Sequence, residues 1–130
     1  MILDSSAVVA MLLREPDSDR LLDQVAQAPQ VRIGAPTVVK TGVVLVAKLG
    51  VTGRTLLARF LQEVDAETVP FSEEHWPVAV RAYDRFGKGR HPAGLNLGDC
   101  LTYAVAAVAR EPLLCIGDDF ARTDLVLAGG

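Results

Sequence analysis

Short wholly apolar stretches alternate along the chain with longer segments whose apolar residues recur every three or four positions. Met1 to Asp4 reads as a short buried strand that stops at a carboxylate. Ser5 or Ser6 is placed to cap a helix running to about Leu13, because a hydroxyl accepts an orphan amide hydrogen there. Beyond Glu15-Pro16, the spacing of Leu21, Leu22, Val25 and Ala28 gives a second helix with one apolar face, ended by Pro29. Val31 to Ile33 is a strand candidate. Pro36, at a first-turn position, starts a helix that reaches Gly50. Its apolar residues, Val38, Val39, Val43, Leu45, Val46 and Leu49, cover so much of the circumference that the pattern predicts a largely buried helix. Leu56, Leu57, Phe60, Leu61 and Val64 mark the next helix, and Glu67 to Pro70 a strand. Ser72 followed by two glutamates is a helix start favoured by the dipole, and that helix runs to near Gly87. A glycine-rich, basic loop from Gly87 to Leu97 leads into a helix from Gly98 to about Arg110, and Pro112 to Ile116 is the last strand. Strands separated by helices predict an α/β domain with a mostly parallel central sheet flanked by helices.

Composition narrows the classes. A chain of 130 residues suits one compact domain, and no repeat or linker divides it. With 50% hydrophobic and 22% charged residues it is neither disordered nor of low complexity. Aromatics make up only 5%, so Val, Leu and Ala must build the core. A net charge of −3 argues against a generally basic nucleic-acid coat and leaves room for a local basic patch. Two cysteines, Cys100 and Cys115, make no disulfide framework, and two histidines supply no multi-histidine zinc site. No leader pattern and no run of about 18 apolar residues is present, so a cytoplasmic protein without a membrane anchor is expected.

The candidate chemistry lies in carboxylates at particular places. Asp4 stands at the carboxyl end of the first strand, and Asp118 and Asp119 stand at the carboxyl end of the last. In open parallel sheets the crevice beyond those ends is the usual ligand site. Asp99 lies in the first turn of an otherwise apolar helix. Carboxylates that converge repel one another, and a hard divalent cation such as Mg²⁺ or Mn²⁺ relieves the repulsion. Such a cation activates water and stabilises charge developing on a phosphodiester. The plainer alternative is that Asp4 and Asp99 only complement helix dipoles while Asp118 and Asp119 form a surface turn.

Several motifs together resemble a known family. These are Ile2-Leu3-Asp4-Ser5-Ser6-Ala7-Val8-Val9-Ala10, the stretch Tyr83 to Asp99 with Gly87-Lys88-Gly89-Arg90-His91 and Gly94-Leu95-Asn96-Leu97-Gly98-Asp99-Cys100, and Pro112-Leu113-Leu114, Gly117-Asp118-Asp119-Phe120 and Thr123-Asp124. In that order, across nearly the whole chain, they resemble PIN-domain ribonucleases of the VapC type, toxins of type II toxin–antitoxin pairs. The resemblance implies one PIN-like three-layer domain over residues 1–130 and endonuclease activity on RNA with Mg²⁺, or Mn²⁺ in its place. It further implies a homodimer and a cognate VapB antitoxin. By it, Asp4 and Asp99 match the principal metal-binding acids and Asp119 the last acid of the cluster. Asp118 is the adjacent candidate, and Ser6 matches the hydroxyl residue that orients the site.

One position departs from the pattern. The resemblance implies a glutamate on the helix after the second strand, and Lys40 stands there. A protonated lysine has no acceptor and binds no metal. Lys40 pairs with Asp4 or Asp99, swings outward to leave a one-metal site, or only snorkels from its helix. Reduced metal affinity is the expectation, and a scaffold that binds antitoxin or RNA without cutting is the alternative function. Arg81, Arg85, Lys88, Arg90 and His91 form a basic cluster, with Lys88 and Arg90 expected to contact RNA phosphates; a solvated helix face explains the cluster equally well. Gly87-Lys88-Gly89 lacks the spacing of a P-loop, and no dinucleotide fingerprint follows Asp4. A phosphoacceptor receiver domain fits poorly, since no lysine follows the last strand. His75 is expected at the surface or at a cap, Cys100 and Cys115 in the core, and Trp76, Tyr83 and Phe86 as packing groups with Tyr83 near a rim. The apolar faces of residues 43–49 and 56–61 serve either the core or a dimer or antitoxin surface.

Overall fold

The computed structural model describes residues 1–129. Four strands, β1 (Ile2–Leu3), β2 (Arg32–Gly34), β3 (Glu67–Val69) and β4 (Leu113–Leu114), form one all-parallel sheet in the order β3-β2-β1-β4. Helices α1 (Ser5–Leu12) and α2 (Ser18–Gln27) connect β1 to β2, and α3 (Ala35–Leu49) and α4 (Val51–Glu63) connect β2 to β3. Helices α5 (Trp76–Phe86) and α6 (Leu97–Ala109) lead to β4, which is followed by a short 3₁₀ turn at Phe120–Arg122. The sheet separates two cores. Ile2 and Leu113 point into one, with Ala82, Phe86, Tyr103, Ala104 and Val105 of α5 and α6. Leu3 and Leu114 point into the other, with Val8, Leu21, Leu45, Leu57 and Phe60 of α1 to α4. Neighbouring strand residues face opposite sides of a sheet, and at the central β1 and at β4 both sides are covered, which is why these two strands are wholly apolar, whereas β3 at the edge carries exposed Glu67 and Thr68. The result is a three-layer α/β architecture.

From β1 the chain first builds outward through β2 to β3, then returns to place β4 on the other side of β1. The strand order therefore reverses between β1 and β4, and the crevice beyond their carboxyl ends is where an open α/β sheet receives its ligand. Close packing holds the elements around it. A β-carbon on Gly34, at the end of β2, would lie 2.8 Å from a methyl of Val105 in α6.

Three sequence-based expectations need correction. The cap of α1 is Asp4, not Ser5 or Ser6: its side chain accepts from the Ser6 amide while its own backbone is extended. Helix α5 begins at Trp76 and not after Ser72. The Ser72 amide instead donates to Nδ1 of His75, closing a turn, and Pro77 cannot sit inside a helix that continues upstream. Helix α3 is not largely buried. Thr37, Thr41 and Leu45 form its buried face, and Val39, Val43 and Val46 stand 66%, 64% and 45% exposed. Two threonines on the inner face displace the valines outward. Trp76 and Tyr83 are exposed as well, whereas Phe86 packs in the core as expected.

Candidate active site

Asp4 leaves β1 where the ladder with β4 ends: its amide donates to the Leu114 carbonyl at 2.9 Å. The residue is 4% exposed. One carboxylate oxygen, Oδ2, accepts from the Ser6 amide at 3.1 Å and from the Ser6 hydroxyl at 2.6 Å. Ser6 Oγ in turn accepts from the amide of Ile116 at 3.0 Å, joining the end of β1 to the segment after β4. The other oxygen, Oδ1, is buried and has no hydrogen-bond partner among the described residues. A buried carboxylate oxygen left without a donor is costly, which leaves this atom free to accept from water or to bind a cation.

Asp99 repeats the arrangement. It is the third residue of α6, buried at 9% exposure. Its Oδ2 accepts from the Asn96 amide at 3.1 Å, while the Asp99 amide donates to Asn96 Oδ1 at 2.9 Å. This reciprocal capping box fixes the carboxyl at the head of the helix. Burial raises the Asp99 carboxyl above the ordinary carboxylate range, the Asn96 amide and then Lys40 pull it down, and the charges of Asp4 and Asp119 push it up. Each aspartate thus commits one carboxylate oxygen to the start of a helix, Asp4 to α1 and Asp99 to α6.

The third acid stands apart. Asp118 and Asp119 are exposed, and no three acidic, histidine or cysteine side chains among the described residues lie close enough to hold a metal together. Asp4 and Asp99 are buried while Asp119 stands at the rim, where its charge is felt by Asp99 and Cys115. The turn at Gly117 carries Asp118 and Asp119 out to solvent instead of folding them under α6. Burial, then the charge of Asp4, push the Cys115 thiol up to about 11, so it stays protonated and unreactive. The donor set fits a hard divalent ion, which is content with one or two carboxylates and fills its remaining positions with water.

Lys40 projects into this site. A β-carbon on Gly98 would lie 3.1 and 3.3 Å from Cδ and Cε of Lys40 and 2.9 Å from its Nζ. The stem therefore lies across the first turn of α6, and a side chain at position 98 would have to displace it. Of the three sequence readings, outward swing is excluded. Lys40 also makes no ion pair within 4 Å among the described residues, so direct pairing with Asp4 or Asp99 is corrected to a through-space influence. The register is set by Thr37, one turn earlier, whose hydroxyl meets that of Thr102 on α6 at 3.0 Å in a buried contact.

Asn96, Gly98, Thr37 and Thr102 were missed in the sequence. Asn96-Leu97-Gly98-Asp99 has the spacing of a capping box, a signal that was available; the threonine pair and the glycine contact depend on how α3 crosses α6 and left no local signal. The basic cluster lies at the surface, and among the described residues no hydrogen bond or ion pair joins it to Asp4 or Asp99. Arg90 pairs with Asp84 at 3.3 Å and lies over the Tyr83 ring, Arg85 pairs with Asp124 at 3.4 Å, and Lys88 has no ion partner among the described residues. His91 Nδ1 accepts from the Ala93 amide and closes the loop. His75 is 3% exposed at the head of α5, so of its two expected places only the cap holds.

Comparison with known proteins accords with this geometry. The family model for the PIN domain matches residues 1–126. The chain is 42% identical over 130 residues to ribonuclease VapC36 of Mycobacterium tuberculosis, covering 99% of this chain and 94% of the relative. It is 38% identical over 125 residues to ribonuclease VapC of Mycolicibacterium smegmatis, covering 96% and 97%. Among solved structures, VapBC2 from Rickettsia felis bound to a DNA fragment from its promoter matches with a TM-score of 0.78 at 18% identity, over 97% of this chain and 95% of the other. VapC20 of Mycobacterium tuberculosis, described as a sarcin-ricin loop cleaving toxin, matches with a TM-score of 0.76 at 15% identity, over 96% and 95%.

Proposed function

Because the chain belongs to the PIN domain family, and within it to the VapC ribonucleases, we propose that it is a toxin that hydrolyses RNA phosphodiester bonds with a divalent cation held by Asp4 and Asp99. The observation that carries the site assignment is the pair of buried carboxylates at the strand-order reversal, each with one oxygen committed to a helix cap. Oδ1 of Asp4 and the second oxygen of Asp99 are the atoms offered to Mg²⁺ or Mn²⁺. When bound, that ion supplies a Lewis acid for the phosphoryl oxygens and an acidified water. Ser6 orients Asp4, and Asn96 orients Asp99. Asp119, at the solvent edge, adds negative charge on the approach side and completes the acidic set. Lys88, and Arg90 beside it, are assigned to the RNA backbone, where point charges position substrate without reading bases.

A partner of the VapB antitoxin type follows from the same family membership, and a second copy of the chain is assigned to the exposed apolar stripes. Val39, Val43 and Val46 on α3 repeat at helical spacing, as do Trp76, Val80 and Tyr83 on α5. Phe71, Trp76, Val80, Tyr83, Leu97 and Leu101 line an almost wholly apolar groove there. Among the described residues no helix is long and apolar enough to cross a membrane. Together with two free thiols, Cys100 and Cys115, this supports work in the reducing cytoplasm by a single domain.

Lys40 favours a second reading, a scaffold that binds without cutting. Incubating antitoxin-free protein with a mixed RNA pool in Mn²⁺ separates the two. Cutting that is lost in EDTA and in Asp99→Asn supports the ribonuclease; no cutting by folded protein supports the scaffold.

A further inference from the structure

Lys40 is a charged group in the crevice that no acceptor among the described residues uses. Its ammonium lies against Gly98 at the head of α6 and makes neither hydrogen bond nor ion pair among the described residues. A helix amino terminus carries partial positive charge and does not attract a cation. The acids nearby offset this, since the Asp99 carboxyl lies within the electrostatic reach of Lys40, Asp4 and Asp119. The stem is laid across the α-carbon of Gly98, and the Thr37–Thr102 contact one turn away ties α3 to α6. The site therefore contains a monovalent cation near two carboxylates, with its N–H groups available.

Two divalent ions in one hydrolytic site sit about 3.5–4 Å apart and need carboxylate oxygens to bridge or flank them. Here only Asp4 and Asp99 are buried in the crevice, and part of their charge is already balanced by the ammonium. We propose that Lys40 is the built-in cation of this site: its ammonium takes the place of a second divalent ion, limits Asp4 and Asp99 to a single metal ion, and contacts a phosphate oxygen of bound RNA. The inference rests on the reading of Asp4 and Asp99 as a cation site. Lysine suits the task as a compact point charge that requires no particular orientation of the phosphate.

The test has two readouts, neither of them cleavage. Bound Mn²⁺ is counted by loss of the free-ion signal in electron paramagnetic resonance, for wild type, Lys40→Gln, Lys40→Glu and Asp99→Asn. Wild type is expected to bind one ion per chain. Lys40→Glu is expected to bind two, the first about tenfold more tightly than wild type, with Lys40→Gln between them. Binding of a 2′-O-methyl oligoribonucleotide is then measured in EDTA. Lys40→Gln is expected to weaken it about tenfold and to reduce the slope of log affinity against log salt by about 0.7, the loss of one phosphate contact on a single strand. Gly98→Ala keeps the charge but displaces the ammonium, and weakens oligonucleotide binding in the same direction. Two ions on the wild type, or equal Mn²⁺ number and affinity in wild type and both Lys40 variants, overturn the inference. So does unchanged oligonucleotide binding by Lys40→Gln. If neither wild type nor Lys40→Glu binds Mn²⁺, the cation-site reading itself falls and the inference with it. Mn²⁺ binding that is lost in Asp99→Asn but indifferent to Lys40 overturns the Lys40 inference alone. Thermal melts accompany each variant, and Lys40→Gln, which removes the charge without introducing an acid, decides the matter if Lys40→Glu does not fold.

Discussion

Single side chains in this crevice serve the fold and the chemistry with different atoms. Asp99 shows the conflict most clearly. Its folded-state carboxyl is raised above the ordinary range, chiefly by burial. A carboxyl raised on folding favours the folded state below its unfolded value, and that advantage is lost as pH rises through the folded value. Near neutral pH the charged Asp99 therefore costs stability. Asp99→Asn keeps an acceptor for the Asn96 amide and removes the charge, so it is expected to raise stability by about 1 kcal/mol at pH 7 while abolishing cleavage. Denaturant unfolding across pH checks it, and the gap between variant and wild type should shrink on acidification. Ser6→Ala acts in the opposite direction. It strips Asp4 of its shortest hydrogen bond and leaves the Ile116 amide without its acceptor. A loss of about 1–3 kcal/mol is expected, with cleavage reduced as Asp4 loses its orientation.

At the scale of elements, the account depends on how α6 is held. Thr37→Val removes the hydroxyl contact with Thr102 and leaves a buried hydroxyl unpaired. About 1–3 kcal/mol of destabilisation is expected by thermal or denaturant melts. Tyr103, on the far side of α6, donates to Asp124 at 2.5 Å and ties down the segment after β4. Burial, then this hydrogen bond, push its hydroxyl from 10.0 up to about 12. Being raised on folding, it contributes stability that is present below about pH 10 and is lost as pH climbs towards 12. Tyr103→Phe should therefore be less stable than wild type at neutral pH, with the difference narrowing over that alkaline window. Much of this level was legible in the sequence. The strands β1 and β4 could be read because they are wholly apolar and bounded by Asp or Pro, and Asp4 and Asp99 because they sit at the junctions of strand or loop with helix. Strand order was not legible, and neither was the outward face of α3. Both depend on contacts between segments far apart in the chain, and an all-valine stripe carries no mark of which valines meet a neighbour. The position of Lys40 was hidden for the same reason, since it is set by the crossing of α3 and α6.

For the whole molecule, the two cores leave apolar surface uncovered on the outer faces of α3 and α5. Val43→Asp and Val80→Asp change residues that are 64% and 61% exposed, so the folded chain should tolerate either. If a second copy covers these stripes, light scattering will show a dimer for wild type and a monomer for each variant, with far-ultraviolet circular dichroism unchanged. A monomeric wild type, or variants that remain dimeric, removes this face from the assembly. The crevice lies at the reversal of strand order, and the same topology that opens it brings Asp4 after β1 beside the segment that follows β4. Asp118 and Asp119 are carried past this point into solvent, so the acidic set is asymmetric, with two buried members and one at the rim.

The central claim is that Asp4 and Asp99 jointly hold one divalent cation at this point. Its most direct test is anomalous diffraction from crystals of the antitoxin-free protein soaked in Mn²⁺. A single anomalous peak contacting Oδ1 of Asp4 and the uncapped oxygen of Asp99, and absent from Asp99→Asn crystals, is the predicted result. A peak held only by Asp118 and Asp119 at the rim, or none in a crystal whose crevice is open to solvent, would contradict it.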